Sequence, residues 1–159
     1  LQFFILKFQK IYKKNNSLEE VFSPSFKNSN NSLESISSFR KIFLGKYNTI
    51  RTKKHVANPA SGSAAKRLNM YLRWMVRSDD KGVDFGIWKN ISMSKLSCPL
   101  DIHSGNSARK LKLLSRTQNN WKAVEELDHS LRMLDPKDPV KYDFALFGLG
   151  IENKTDNLI

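Results

Sequence analysis

Apolar residues in this chain recur at steps of three and four along almost its whole length. No run alternates apolar and polar residues at period two, so the pattern excludes a sheet and predicts an all-α fold. "LQFFILKFQKIYKK" sets Leu1, Phe4, Ile5, Phe8, Ile11 and Tyr12 at helical spacing. "SLEE" at 17–20 has the form of a capping box, Ser17 capping and Glu20 reaching back. Residues 23–32 read as a polar loop. Ser32 caps a helix with Leu33, Ile36, Phe39 and Phe43 on one face and Gly45 at its stop. A basic loop, "KYNTIRTKKHVANPASG", follows. Ser63 then caps a helix whose buried face is Ala65, Leu68, Leu72 and Met75, with Lys66, Arg73 and Arg77 on other faces. "VDFGIWKNISMSKLSC" reads as an aromatic connection with two short helical turns, ahead of a helix from about 103 to 114. "SRTQ" at 115–118 has the form of a second capping box, opening a helix that carries Trp121, Val124, Leu127, Leu131 and Leu134. Pro139 opens a last helix closed by glycines. Residues 1–151 read as one helical domain and 152–159 as a frayed polar tail.

The first helical pattern has no cap ahead of Leu1, which leads us to expect a fragment of a longer protein. At 159 residues and 40% hydrophobic content the chain is long and apolar enough to bury a core. Its formal net charge is +12 and unevenly placed. Residues 1–116 carry 22 Lys and Arg against 7 Asp and Glu, whereas 117–159 carry 5 against 8. A basic body points to an anionic partner, with nucleic acid first and anionic lipid or plain solubility as alternatives. Cys98 is the single cysteine, so no internal disulfide is possible and a reducing compartment is expected, with the protein a cytoplasmic monomer. One Cys and three scattered His (His55, His103, His129) make neither a metal site nor an iron–sulfur cluster, and no cofactor is expected. No apolar stretch is long enough to span a membrane.

Two places offer chemistry. In "GSAAK" (62–66), Gly62 and Ser63 turn into a helix start, where backbone N–H groups and the positive dipole end favour phosphate. Lys66 sits in that first turn beside Arg67. Dipole and Arg67 both disfavour an ammonium there, and a lysine that loses its proton is an amine nucleophile. An ordinary surface lysine reads the same way. In "PLDIHSGNSARKLKLLSR" (99–116), Asp101 stands at a helix start, where its carboxylate accepts backbone N–H groups and stays ionised. It is either a plain N-cap or a carboxylate that stabilises positive charge developing on a sugar. His103 reads as a helix-start residue or a DNA contact. Trp74, Phe85, Trp88 and Trp121 are core aromatics or stacking surfaces, with core as the default.

"PLDIHSGNSARKLKLL" resembles the Asp-x-His segment of helix-hairpin-helix DNA glycosylases of the endonuclease III type. Asp101 and His103 match that Asp and His, and Arg109 and Leu111 the Arg-Leu that follows. "GSAAKRLNM" is similar to the second half of the family's hairpin, with Gly62 and Lys66 matching its Gly-x-x-x-Lys. The resemblance implies a helix-hairpin-helix glycosylase-like helical domain, truncated at its N-terminus. Lys66 would then be the nucleophile on the sugar C1′ and Asp101 its partner. DNA is the implied partner, with Gly62, Ser63, Lys53, Lys54, Arg67, His103 and Arg109 as its contacts. It further implies that the Lys66 amine and the Asp101 carboxylate lie within a few ångströms across one cleft. The Leu-Pro-Gly-Val-Gly hairpin is replaced by "NPASGS", and the cluster cysteines of endonuclease III are absent. The Lys-to-Asp separation is longer, as it is in archaeal 8-oxoguanine glycosylases. "KRLNMYLRWMVR", "KGVDFGIWKNI" and "DPVKYDFALFGLG" resemble a bacterial family defined only as a domain of unknown function, whose members are longer at the N-terminus.

Overall fold

A computed structural model describes residues 2–46 and 49–155, the side chains of 153–155 excepted. The described residues form eight α-helices and three short 3-10 turns, with no strand; the only β pairing is an isolated bridge between Ser63 and Asn120. The helices are α1 (Gln2–Tyr12), α2 (Glu19–Phe26), α3 (Leu33–Leu44), α4 (Ile50–Lys53), α5 (Lys66–Val76), α6 (Ile102–Lys110), α7 (Trp121–Leu134) and α8 (Asp143–Thr155).

Phe22, Ile36, Leu72, Val124, Leu127 and Leu131 are fully buried at the centre. Burying each such side chain contributes about 1.5–3 kcal/mol. A run of rings crosses this core, from Trp88 through Phe22 and Phe39 to Phe43, with centroids 4.6–5.7 Å apart. Trp88 and Trp121 are therefore core residues, while Phe85 is 66% exposed. Leu1 lies outside the described residues; of the other apolar residues of α1, Ile11 is buried, whereas Ile5 and Tyr12 face outward.

Several expected boundaries move, and in each case a tertiary partner decides. α2 runs through Pro24 to Phe26 because Phe22 and Phe26 anchor it in the core. Glu20 reaches back past Ser17 to the backbone and side chain of Asn16 (3.0 and 3.1 Å). Ser32 does precede α3, but its hydroxyl donates to Asn69 Oδ1 at 2.5 Å and caps nothing. The basic loop contains α4, closed by a Thr49–Thr52 capping box. Asn120, not the 115–118 stretch, caps α7 through the amide of Ala123. α8 continues past Gly148 and Gly150 instead of ending at them.

Gly150 serves packing. A Cβ there would lie 2.5 Å from the His103 carbonyl oxygen of α6, whereas one on Gly148 meets nothing within 4 Å. Gly150→Ala is expected to push α6 and α8 apart at a cost of about 1–3 kcal/mol. Gly148→Ala in the same helix should stabilise by about 0.5–1 kcal/mol. Urea denaturation of both variants checks the contrast.

Arg73 and Arg77 do not lie on a solvated face. Both are buried, among Asp79, Asp84, Asp138 and Asp143. Asp84 comes from residues 83–88, where burial alternates: Asp84, Gly86 and Trp88 inward, Val83, Phe85 and Ile87 outward. This short stretch does alternate at period two, although it pairs with no strand.

Asp128 of α7 is a further buried carboxylate. Burial pushes it up to about 7, against the Cys98 amide bond and the attraction of Arg132. The folded chain thus holds this proton more tightly than the unfolded one. Its contribution to stability is complete below about pH 4 and fades as pH rises through about 7. Asp128→Asn is expected to flatten the fall in urea stability across that interval. Parallel slopes for variant and parent would contradict this.

Candidate active site

Asp101 is both an N-cap and a site carboxylate, because its two oxygens do different jobs. Oδ1 accepts the Ser104 amide at 2.9 Å, and the Asp101 amide donates to Ser104 Oγ, also at 2.9 Å. Oδ2 is left to accept Lys66 Nζ at 2.7 Å. Burial raises the Asp101 carboxyl, but the bonds from Lys66 and Ser104 outweigh it and hold the group below the usual carboxylate range.

Lys66 is the first residue of α5, which Ala65 precedes in the left-handed region (φ 48°). A residue with a Cβ rarely adopts that conformation, and it is held here in a buried position. Ala65 therefore takes the N-cap position, while Ser63 only accepts the Ala65 amide at 3.2 Å. The dipole that disfavours a cation at Lys66 is answered by Asp101. With 41% of the Lys66 side chain exposed, the pair is worth at most about 1 kcal/mol to stability.

Two groups on α8 complete the surroundings. The Phe147 ring lies 5.8 Å from Lys66 Nζ and edge-on to His103, whose Nδ1 is 3.4 Å from the Gly150 carbonyl. Nothing in the sequence marks Phe147 as a site residue, since α8 shows there only glycines and a helical pattern.

The remaining expected contacts divide. Lys54 and Arg67 are exposed at a cleft of about 490 Å³ that opens beside Lys66, with Phe4, Phe8, Phe39 and Phe43 forming its wall. His55 also lines it, and no carboxylate does so among the described residues. Lys53 is exposed nearby on α4. The Gly62 and Ser63 amides donate to the carbonyls of Pro59 and Asn58, so neither is free for a phosphate. Arg109 is turned inward, clamping the carbonyls of Arg116 and Thr117 (2.7 and 2.9 Å) and Asn119 Oδ1. Asn119 in turn donates to the Asp101 carbonyl at 2.7 Å, so Arg109 braces the site from behind.

Among the described residues no group of three His, Cys, Asp or Glu side chains could hold a metal ion, and no helix is long and apolar enough to cross a membrane. No curated protein and no solved structure matches this chain. The family model described as "Protein of unknown function (DUF2400)" matches residues 1–152, and the chain belongs to that family.

Proposed function

We propose that this protein is a DNA base-excision glycosylase of the helix-hairpin-helix type, with lyase chemistry through Lys66. The observation that carries the reading is the Lys66–Asp101 contact of 2.7 Å between two helix starts separated by 35 residues. In this reading Lys66, as the free amine, attacks C1′ of an extruded nucleotide. The C1′–N bond breaks, and the base leaves with the bonding pair and takes up a proton. Asp101 stabilises the positive charge that develops on the sugar. One proton of the attacking nitrogen passes to the departing base, and as the C1′–O4′ bond breaks O4′ takes up the other, leaving a Schiff base at C1′.

The charge of the basic body supports a DNA partner. The phenylalanine-walled cleft beside Lys66 supports a stacking site for an unpaired base. Single-turnover base release from duplexes carrying oxidised, deaminated and alkylated bases tests the proposal. Release from at least one substrate, lost in Asp101→Asn, is expected.

A second reading, nucleic-acid binding without chemistry, is favoured by the ion pair itself, which neutralises both groups in the resting state. Salt-dependent binding that survives Lys66→Gln, with no base released from any duplex, would decide for it.

A further inference from the structure

Three cations line the cleft beside Lys66, itself included, and they are not answered alike. Lys66 is matched by Asp101 at 2.7 Å. Lys54 and Arg67 are exposed, and among the described residues neither side chain has an ion-pair or hydrogen-bond partner. No described carboxylate stands on the wall to offset them. The opposite side is aromatic. Phe4 and Phe8 of α1 lie 5.6 and 4.8 Å from Phe43 of α3, ring centre to ring centre. Phe39 and Phe43 are buried, whereas Phe4 is half-buried and Phe8 is 37% exposed, so the α1 rings offer the open stacking surface. His55 stands edge-on to Phe4 at 5.8 Å. The polar groups that reach the cleft are mostly donors. Lysine and arginine side chains donate and never accept. Ser63 Oγ already accepts the Ala65 amide, which leaves its O–H to donate, and the Val56 carbonyl is taken by Arg40.

We propose that this cleft selects the extruded base by charge. It takes neutral or anionic bases edged with ring carbonyls, as deamination and oxidation leave them, and turns away bases made cationic by ring alkylation. The inference rests on the cleft receiving the base in the proposed reaction, and adds to that reading the class of base. Two physical arguments carry it. A planar base stacked on the α1 rings presents its edge to donors, so carbonyl oxygens are satisfied there and a cationic ring is repelled by the unanswered charges of Lys54 and Arg67. The same charges favour departure. A neutral base that leaves with the bonding pair is negative until it takes up a proton, and ring carbonyls spread that charge to the edge the cations face. A cationic base leaves neutral and gains nothing from them.

The experiment is competition binding at low salt to duplexes that carry one of three purines of like size. Xanthine is largely anionic at mildly alkaline pH, hypoxanthine is neutral and 7-methylguanine is cationic. Each is placed on a 2′-fluoroarabino sugar, which resists cleavage, and opposite an abasic spacer, so that no base pair has to be broken. Affinity should fall in the order xanthine, hypoxanthine, 7-methylguanine, with on the order of tenfold to a hundredfold between the first and the last. Arg67→Gln with Lys54→Gln should shrink that ratio by about threefold to tenfold, acting chiefly on the xanthine duplex. Equal affinities or the reverse order overturn the proposal. So does a double variant that weakens all three duplexes alike, since Lys54 and Arg67 would then be phosphate contacts without regard to the base. A protein that binds none of the duplexes overturns the proposal together with the reading it rests on. The predicted order without base release from any cleavable duplex would count only against the reaction.

Discussion

Arg73→Met is expected to destabilise the fold by about 3–5 kcal/mol at pH 7, a larger loss than Gly150→Ala should bring. The Arg73 side chain is 2% exposed and serves two carboxylates at once. Its Nη1 donates to Asp143 at 2.6 Å, while Nε and Nη2 donate to Asp84 at 3.3 and 3.2 Å. The guanidinium also lies 4.2 Å from the Phe144 ring centre, so its removal costs packing as well as charge. Asp84 would keep Arg77 at 2.7 Å, but Asp143 would lose its ion-pair partner. Methionine fills the volume without answering either charge. Burial already favours the protonated form of Asp143. The variant should therefore recover part of its loss at pH 5 relative to pH 7, because a carboxyl without its ion-pair partner takes up a proton more readily as pH falls. Urea denaturation at both pH values measures this. A loss below about 1 kcal/mol at pH 7 would mean that the buried ladder is dispensable.

Among variants that keep Lys66, the largest expected effect on activity falls on Asp101→Asn, which should lower the rate of the covalent step by about 10²–10⁴-fold. The substitution separates the two jobs of Asp101. An asparagine Oδ1 still accepts the Ser104 amide, and asparagine is as good an N-cap as aspartate, so α6 should form as before. What disappears is the negative charge 2.7 Å from Lys66 Nζ. Binding to a duplex with a non-cleavable abasic-site analogue should stay within about threefold, because a carboxylate makes no favourable contact with a phosphate. A rate within threefold of the parent would make Asp101 a cap and nothing more.

The inward faces of α3 and α7 are legible in the sequence because a helix that buries one stripe writes its period into the apolar residues. Arg73 and Arg77 are not, for the complementary reason. A buried arginine interrupts the apolar stripe, and its partners are long-range: Asp84 is 11 residues away and Asp143 is 70. The alternation in "VDFGIW" misleads, since it would turn Val83, Phe85 and Ile87 inward, whereas the arginines draw Asp84 in and leave those three exposed. Asp101 apart, caps are legible as a class but not by residue. Polar runs such as 15–20, 61–65 and 115–120 offer several side chains able to cap, and the choice falls to whichever one tertiary contacts leave aligned. At the site, two helix starts and a resemblance point to Lys66 and Asp101, whereas Phe147 enters only because α8 folds back onto α5 and α6. Arg109 shows the converse. Its place in a motif suggests a DNA contact, but the loop 116–119 takes its donors.

The most direct measurement is borohydride trapping of the protein on labelled duplex DNA containing an abasic site, alongside duplexes containing oxidised bases. Reduction fixes the imine formed between an attacking amine and C1′ as a stable secondary amine, so the adduct itself identifies the nucleophile. If Lys66 is that nucleophile, the parent protein gives a covalent adduct that maps to Lys66 and is absent in Lys66→Gln. An adduct mapped to another lysine, or an equal yield from Lys66→Gln, would contradict it.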